Sequence, residues 1–269
     1  MCRYLGVTRC LVYYKPTPHK PDTVLENAVI EEFKNNYETY GSRKIKRALK
    51  RRRIPIIASR RRIGRIMDKY GLVSKYVKRR KCGKANKVNN ETYPNIVKRE
   101  FRERDILEVV VSDLTYVKVS GVWHYICLLI DLHGRDIIGY AAGRNRDAKL
   151  VRRAFYRIDV NLCDIGIFHT DRGGEFKNEV IDGIISAFGM KRSLSSKGAP
   201  VDNAVAESLY NIIKTEMLFE RTFDCLDDLE LALFEYVNWY NNIRLHSSLG
   251  YLPPREYKAQ KKEQQLRAL

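Results

Sequence analysis

The sequence lacks the residue patterns that mark several large classes of protein. Its six cysteines include no Cys-x-x-Cys pair, and there is no His-x-x-x-His motif to complete a zinc site. We therefore expect the cysteines to be reduced and mostly buried, as in cytosolic proteins. No run approaches the roughly 18 apolar residues of a membrane helix, and the amino terminus lacks the apolar core of a signal peptide. These absences predict a soluble, cytoplasmic protein.

Acidic residues are scarce in the first hundred positions. Residues 1–100 contain 27 Lys and Arg but only 8 Asp and Glu, a net charge of +19. Residues 101–269 contain 23 Lys and Arg against 24 Asp and Glu, a net charge of −1. A segment this basic attracts a polyanion, because binding releases counterions condensed on the polyanion. Nucleic acid is the expected partner, and a solvated basic face is the alternative.

Three stretches of the basic part have the apolar spacing of short helices. Residues 23–36 form the first, with Thr23 as its predicted cap; Ser42 is the predicted cap of the second, and Gly71 ends the third. The last two are dense in arginine, a pattern typical of helix-turn-helix DNA binders, although a basic helical hairpin that reads no groove has the same pattern. We predict a DNA-binding region over residues 1–72. Its predicted DNA contacts are Arg43, Lys44, Arg60, Arg61, Arg62 and Arg65.

The pattern changes twice after this region. Residues 73–98 show no sustained apolar periodicity and contain only Glu91 as an acid, which predicts a basic linker able to follow phosphates. Residues 99–260 alternate between strand and helix patterns, which predicts an α/β domain with a mixed sheet covered by helices. The predicted strands cover residues 106–119, 122–132, 136–143, 164–169 and 191–194, and the predicted helices cover residues 148–158, 177–188 and 200–219.

Three carboxylates stand out by their positions. Asp113 lies inside the first strand, where a carboxylate is costly unless it is paired or binds a metal. Asp171 follows the fourth strand, at the carboxyl end where open α/β sheets present ligand sites. Glu207 lies on the helix face opposite Leu209, with Lys214 two turns further along the same line. We therefore treat the three acids as a candidate site.

Two aspartates and a glutamate are hard oxygen ligands, which suit Mg²⁺ or Mn²⁺. Two such ions roughly 3.5 to 4 Å apart activate a water or a 3′-hydroxyl and stabilise the leaving oxygen of a phosphodiester. Lys214 is placed to hold a phosphate beside them. The spacing alone leaves another interpretation open, in which Asp113 is a buried hydrogen-bonding residue, Asp171 a turn residue and Glu207 part of a solvated helix face.

The motifs around these acids resemble the catalytic core of retroviral-integrase-type recombinases. Within that group, the chain resembles the second-reading-frame transposases of bacterial insertion sequences of the IS-three family. The resemblance is carried by SDLTYV around Asp113, FHTDRGGEF around Asp171, SLSSKGAPVDNAVAESLYNIIKTE around Glu207 and YVNWYNNIRLHSSLGYLPPREY at residues 236–257. Asp171 and Glu207 have 35 residues between them, and Lys214 follows the glutamate by seven, as in the family. The opening CRYLGVTRCLVYY and the stretch YGSRKIKRAL also resemble the amino-terminal part of these proteins.

This resemblance implies a ribonuclease-H-like core and a DDE transposase, which is a polynucleotidyl transferase. Asp113, Asp171 and Glu207 would hold two Mg²⁺ or Mn²⁺ ions, with Lys214 also at the catalytic site. The implied reaction is nicking at the element ends followed by transfer of the freed 3′-hydroxyl to another phosphodiester, without ATP, since no phosphate-binding Gly-rich loop is present. The implied partners are double-stranded DNA at element ends and targets, further copies of the chain on that DNA, and the upstream first-frame product.

Two other functions fit the same motifs. One is a nuclease of this fold that cuts strands but does not join them. The other is a non-catalytic DNA-binding or regulatory partial product of the element. A product assay for joined DNA separates the first from a transposase, and loss of a triad acid would be the sequence sign of the second.

The stretch that contains Asp171 has further polar residues and glycines. Glu175 replaces the residue more usual in the family and is expected to face solvent. His169 is expected to form structural hydrogen bonds, and Arg172 to contact a phosphate or to form a salt bridge at the strand end. Gly173 and Gly174 are expected to leave room for a phosphate near the backbone.

The tail motif at residues 236–257 also contains polar residues of open role. Asn241, Arg244 and His246 either fix the tail onto the core or contact DNA. For His246 we expect structural hydrogen bonding, because the mechanism requires no imidazole base.

Overall fold

The computed structural model describes residues 2, 4–6, 8, 22–77, 104–195 and 204–267, with side chains from residue 207 onward in the last range. Most of the predicted linker and the start of the helix predicted from residue 200 lie outside these residues. Within them, no helix is long and apolar enough to cross a membrane. The helices are α1 (Thr23–Asn35), α2 (Ser42–Arg51), α3 (Arg60–Lys69), α4 (Ala148–Tyr156), α5 (Glu179–Ala187), α6 (Ala204–Ile213), α7 (Leu226–Asn242) and α8 (Pro254–Arg267). The strands are β1 (Val109–Val119), β2 (Val122–Asp131), β3 (Ile137–Gly143), β4 (Ile167–Thr170) and β5 (Lys191–Leu194).

The three amino-terminal helices form where the apolar periodicity predicts them, but two of their caps differ. Asp22 caps α1 by accepting a hydrogen bond from the backbone N–H of Leu25 at 3.1 Å, so the predicted cap at Thr23 is wrong by one residue. Ser42 lies inside α2, which has no side-chain cap, so that prediction is also wrong. Gly71 follows α3 with a φ of +62°, the left-handed conformation expected at a helix end.

The sheet has the strand order β3-β2-β1-β4-β5. β1, β2 and β3 form an antiparallel meander, and β4 and β5 run parallel to β1. Ser120 and Gly121 join β1 to β2 with φ values of +44° and +81°, the conformation of the tight hairpin turn that their sequence predicts. The predicted mixed sheet covered by helices is therefore confirmed.

Alternate residues of β1 contribute to two apolar clusters on opposite faces of the sheet. Val109, Val111 and Val117 pack in one cluster with residues of α6 and α7. Val110 belongs to the other cluster, which includes apolar residues of α4 and α5. Because both faces are covered, β1 is held rigidly in the centre of the domain.

The amino-terminal helices pack onto α7. The ring of Tyr37 lies 4.6 Å from that of Trp239, centroid to centroid, and the Trp239 indole N–H donates a hydrogen bond to Asn36 at 3.3 Å. The backbone N–H of Leu245 donates to the hydroxyl of Tyr40 at 2.6 Å. The helical region and the α/β region thus share one apolar cluster, and the predicted domain boundaries at residues 72 and 98 stay predictions.

A buried ion pair joins the segment after α6 to the tail. The helix after Ile213 widens into one π-helical turn, and Glu216 in this turn receives the Arg244 guanidinium at 2.8 Å. The hydroxyls of Tyr76 and Tyr236 donate to the same carboxylate at 2.5 and 2.7 Å. Arg244 therefore fixes the tail onto the core, one of the two roles proposed for it.

The other tail residues also make structural contacts. The Asn241 amide pairs with the backbone N–H and carbonyl of Ile137 in β3 at 2.9 and 2.8 Å. His246 is buried with its Nδ1 2.9 Å from the Ser248 hydroxyl. Burial, together with the positive charge of Arg244, lowers the pKa of His246 to about 3, so this imidazole stays neutral. These contacts support the structural role expected for His246.

The cysteines differ from expectation in their burial. All four that the structure describes are free, but Cys163 and Cys225 are exposed, Cys2 is half-buried and only Cys127 is fully buried. Because only one of the four described cysteines is buried, the prediction that most cysteines are buried is wrong for the described part of the chain. Cys225 is exposed because it starts α7, where its sulfur accepts from the backbone N–H of Asp228 at 3.5 Å.

Candidate active site

Asp113 and Asp171 lie side by side at the same level of two parallel strands. β1 and β4 pair at Val111 and His169, and each aspartate follows two residues later in its own chain segment. Neighbouring strands are roughly 5 Å apart, so the two carboxyl groups project from adjacent positions. One Asp113 oxygen accepts from the Leu114 N–H at 2.7 Å, and Asp171 Oδ1 accepts from the Gly173 N–H at 2.9 Å.

The charges of this pair are poorly compensated. Burial, together with the negative charges of Asp171 and Glu207, raises the pKa of Asp113 to about 7, against the opposing effects of the Leu114 N–H and Arg146. Burial also raises the pKa of Asp171. Such a pair is stabilised in its ionised form by an added cation.

Glu207 lies on α6 with its side chain exposed, whereas Leu209 is buried, as the helical wheel predicts. Lys214, in the π-helical turn, is half-buried with its ammonium 5.2 Å from the centre of the Tyr116 ring. Among the described residues, no three His, Cys, Asp or Glu side chains lie close enough to hold a metal ion. The structure thus brings the two aspartates together, while Glu207 acts on Asp113 only through its charge.

Tyr210 connects the glutamate helix to the strand of the first aspartate, and the sequence analysis missed it. Its buried hydroxyl accepts from the backbone N–H of Leu128 at 2.9 Å and donates to the carbonyl of Asp113. Asp113 and Leu128 face each other in the β1–β2 ladder. Tyr210 follows Glu207 by three residues, so the hydroxyl anchors α6 within one helical turn of the glutamate. In the sequence, Tyr210 is only a tyrosine on the apolar side of a predicted helix. Such a position is common and does not indicate a functional role.

Glu175 is buried rather than solvent-facing, so that expectation is wrong. It is 7% exposed, and its carboxylate accepts a hydrogen bond from Nε of Arg146 at 2.8 Å. Arg146, in the loop between β3 and α4, compensates the charge that burial would otherwise make costly. A side chain at Gly173 would overlap the Glu175 carboxylate, whereas Gly174 faces open space. The room at Gly173 is therefore taken by Glu175 and is not left for a phosphate.

The two other polar residues of this stretch make hydrogen bonds within the fold. His169 is buried, with Nδ1 2.9 Å from the Ser193 hydroxyl on β5, as expected for a structural histidine. Nε of Arg172 donates to the carbonyl of Ser195 at 3.0 Å, a hydrogen bond instead of the salt bridge considered from the sequence. Both residues thus tie β4 to the end of β5.

The cations predicted to bind DNA fall into two groups. Lys44 is half-buried near the Tyr40 ring, and burial, with the charge of Arg244, lowers its pKa to about 8. Arg62 forms an ion pair with Asp22 at 2.8 Å. The remaining predicted contacts on the helices are exposed: Arg43, Arg60, Arg61 and Arg65.

Some of the exposed cations line a common cavity of about 400 Å³. It is lined by side chains of α2 and α3 together with Tyr251 of the tail motif, whose ring lies 5.1 Å from the Arg47 guanidinium. The lining residues are Arg43, Lys46, Arg47, Lys50, Arg60 and Tyr251.

Comparisons with known families and proteins agree with these features. Two family models described as integrase core domain match residues 106–200 and 188–254, and an HTH-like domain model matches residues 20–80. A transposase for insertion sequence element IS904 of Lactococcus lactis is 26% identical over 87% of this chain and 93% of its own length. The putative transposase InsK for insertion sequence element IS150 of Escherichia coli is 27% identical over 97% and 93%. An uncharacterized 31 kDa protein of insertion element IS600 from Shigella sonnei is 29% identical over 96% and 97%.

Among the solved structures of related shape are two integrase catalytic core domains. The catalytic core domain of HTLV-2 integrase in complex with magnesium is 15% identical and covers 56% of this chain and 95% of its own, with a TM-score of 0.45. The catalytic core domain of BIV integrase is 16% identical and covers 59% and 98%, with a TM-score of 0.44.

The family matches and the observed strand order agree on the fold. An antiparallel meander followed by two strands parallel to β1 is the predicted ribonuclease-H-like sheet, and the helical region before it is the matched HTH-like domain. Residues 20–80 therefore match an HTH-like domain model, residues 106–254 match integrase core domain models, and the chain is similar over most of its length to transposases of bacterial insertion sequences.

Proposed function

We propose that this chain is a DDE transposase that cuts DNA at the ends of a bacterial insertion sequence of the IS-three family and joins the freed strand to a target. The observation that carries the proposal is the pair of adjacent aspartates, Asp113 within β1 and Asp171 just after β4, where these two parallel strands cease to pair in a region that matches an integrase core domain. The charge of Glu207 on the neighbouring helix reaches Asp113 and supports a shared site.

The three acids have the ligand chemistry of a site for Mg²⁺ or Mn²⁺, although no three acidic side chains of the described residues lie close enough to hold an ion. Asp113, Asp171 and Glu207 would hold a pair of these ions, since all three offer carboxylate oxygens, the ligands these ions prefer. The pKa of Asp113 is raised by burial and then by the charge of Asp171, and divalent cations would offset both effects by favouring the ionised carboxylates. When bound, such ions activate the attacking water or 3′-hydroxyl and stabilise the leaving oxygen.

The chain's own residues position the DNA. Asp113 stands on β1 in the sheet and Asp171 directly after β4, and this attachment to the sheet limits their movement during the reaction. Lys214, seven residues after Glu207, would contact a phosphate of the bound strand. The exposed cations of α2 and α3 hold the duplex through its phosphates, and Arg43, Arg60, Arg61 and Arg65 contribute more than Lys44 and Arg62, whose charges are engaged within the chain.

Substitution of the triad tests this function. Asp171→Asn and Glu207→Gln should each abolish Mg²⁺-dependent cleavage of element-end DNA and leave DNA binding intact. Asp164→Asn is the matched control, because Asp164 is exposed and lies just before β4. Retained cleavage in either triad variant would refute the assignment.

The same assay separates the transposase from its two alternatives. A nuclease of this fold would release cut DNA without joined products, and a non-catalytic partial product would bind DNA and leave it uncut. The assay is run with and without the upstream first-frame product, so that a requirement for that product is distinguished from an inactive core.

A further inference from the structure

Two aromatic side chains stand exposed on the hairpin of β1 and β2. Tyr116 is 57% exposed and Trp123 is 48% exposed. Their rings meet edge to face, with centroids 5.1 Å apart and an interplanar angle of 88°. Large aromatic rings are normally buried to a greater extent than this, so an exposed pair offers a surface for a ligand.

A lysine lies over each ring of the pair. Lys118 places its ammonium 5.0 Å from the centre of the Trp123 ring, and Lys214 lies 5.2 Å from that of Tyr116. We call these four residues, Tyr116, Lys118, Trp123 and Lys214, the hairpin platform. Two aromatic faces flanked by two cations match a ligand that has both flat rings and negative charge.

The hairpin platform is close to the candidate active site. Tyr116 follows Asp113 by three residues on β1, roughly 10 Å along the strand and on the opposite face of the sheet, and Lys214, in the π-helical turn that continues the helix of Glu207, reaches its ring. Lys214 is the lysine proposed above to contact a phosphate of the bound strand. The hairpin is also held in place, because Ser120 at its turn donates from its N–H to the Phe223 carbonyl at 2.9 Å and from its hydroxyl to the Asp224 carbonyl at 2.7 Å.

We propose that the hairpin platform binds an unpaired base of the DNA strand next to the phosphodiester held by the carboxylates. The base stacks on the aromatic pair, and Lys118 and Lys214 contact the adjoining phosphates. In a duplex the faces of the bases are covered by their neighbours, so only an unpaired base presents a face to the platform. This inference rests on the proposed function, which brings the DNA strand to this edge of the sheet.

Charge favours DNA over a protein occupant of this surface. The four residues of the platform include two cations and no acid. A second copy of the chain, with a formal net charge of +18, would add positive charge to a surface that is already cationic. A strand of DNA neutralises the two lysines as it binds.

Tryptophan fluorescence tests the proposal directly. The chain has two tryptophans, and Trp239 is buried against α1, so quenching by DNA reports on Trp123. The probes are a duplex with an unpaired thymidine tail and a blunt duplex of the same sequence, without metal ions. The tailed duplex should quench the fluorescence more than the blunt one, and Trp123→Phe should remove that difference.

Affinity measurements provide the second readout. Trp123→Ala should weaken binding of the tailed duplex roughly 5- to 150-fold, the loss expected for one stacked base. Trp123→Phe keeps a ring and should retain most of the affinity. Unchanged binding of the blunt duplex shows that Trp123→Ala remains folded. The matched control is Tyr156→Ala, because Tyr156 is 74% exposed and has Arg152 over its ring at 5.8 Å, yet it lies outside the platform.

The proposal would be overturned if the two duplexes quenched the fluorescence equally. It would also be overturned if Trp123→Ala lost the same affinity for both duplexes. The aromatic pair would then be a structural contact between β1 and β2. Because these measurements need no cleavage, they are independent of the triad. If Asp171→Asn abolishes cleavage while the tail preference is absent, only the platform is refuted. If Asp171→Asn still cleaves while the tail preference is present, only the proposed function is refuted.

Discussion

Asp113 illustrates how one residue carries opposing requirements of folding and function. Its position inside β1 makes the ionised carboxylate costly in the absence of a cation, since burial, with the negative charges of Asp171 and Glu207, raises its pKa from 3.8 to about 7. The protonated form is favoured in the folded chain, whereas metal binding requires the ionised form. Without metal, the ionised carboxylate of Asp113 therefore destabilises the folded chain, and a bound divalent cation would offset this cost.

The first prediction concerns this pH dependence. A folded-state pKa above the unfolded value means that the stability contributed by Asp113 is fully present below about pH 4 and is lost as the pH rises to about 7. Without metal, Asp113→Asn should be more stable than the parent protein at pH 8, and the difference should shrink toward pH 4. Urea unfolding in a chelator at both pH values measures it. A difference that does not vary with pH would contradict the raised pKa.

The hydrogen bonds of Tyr210 could not be predicted from the sequence. The motifs identified the acids, because their residue types and spacing are specific. Nothing marked Tyr210, since the hydrogen bonds of its hydroxyl go to backbone atoms of Asp113 and Leu128, more than 80 residues away in sequence. Glu175 was misjudged for the same reason, because its partner Arg146 is 29 residues distant.

Removal of the Tyr210 hydroxyl is the second prediction. Tyr210→Phe leaves the Leu128 N–H and the Asp113 carbonyl without this partner in the protein interior, which should cost about 1–3 kcal/mol of unfolding free energy. It should also lower kcat more than it raises KM, because the glutamate helix loses its anchor to β1. Tyr240→Phe is the control, a buried tyrosine whose hydroxyl makes no hydrogen bond among the described residues. Equal kinetic effects of both variants would leave Tyr210 with a structural role only.

At the scale of helices and strands, the spacing of apolar residues predicted the element bounds well where one face of the element is buried. The β1–β2 turn and α3 agree with prediction within one residue or two, because their apolar spacing and turn residues are local signals. The caps of α1 and α2 were misassigned, since a cap depends on backbone geometry at a single residue. The helix expected over residues 200–219 is described from Ala204 and widens into a π-helical turn at Lys214, where Glu216 turns inward to meet Arg244.

The arginines of α3 give a third prediction at this scale. Arg61 and Arg65 are exposed, so Arg61→Ala with Arg65→Ala should weaken DNA binding and lower the salt slope by about 2. Arg62→Ala on the same helix should change the slope less, because Arg62 is paired with Asp22. Binding titrations over a range of salt concentrations measure the slope. Equal slopes for all variants would remove α3 from the DNA interface.

For the whole molecule, the buried Glu216–Arg244 pair is one of the connections between regions far apart in sequence. It joins Tyr76 after α3, the turn after α6 and the tail. The sequence resemblance pointed to the tail as a motif but left its role open between packing and DNA contact. The role depends on long-range contacts such as those of Asn241 with Ile137, which no local pattern predicts.

The fourth prediction tests this connection. Arg244→Met leaves the Glu216 carboxylate buried without its ion-pair partner and should lower the unfolding free energy by about 3–5 kcal/mol. Arg255→Met breaks the exposed pair with Asp159 and should cost no more than about 1 kcal/mol. Chemical denaturation of both variants gives the comparison, and similar losses in the two would show that the buried pair does not link the regions.

The most direct test of the central claim is strand joining by Glu207→Gln. The claim is that Glu207 acts with Asp113 and Asp171 in one metal-dependent site, although the structure places its carboxylate outside a closed cluster. Element-end and target DNA are incubated with Mg²⁺ and either the parent chain, Glu207→Gln, or Glu235→Gln, whose glutamate is exposed on α7. We expect the parent chain and Glu235→Gln to form joined DNA products and Glu207→Gln to form none. Joined products from Glu207→Gln at the level of the parent chain would contradict it.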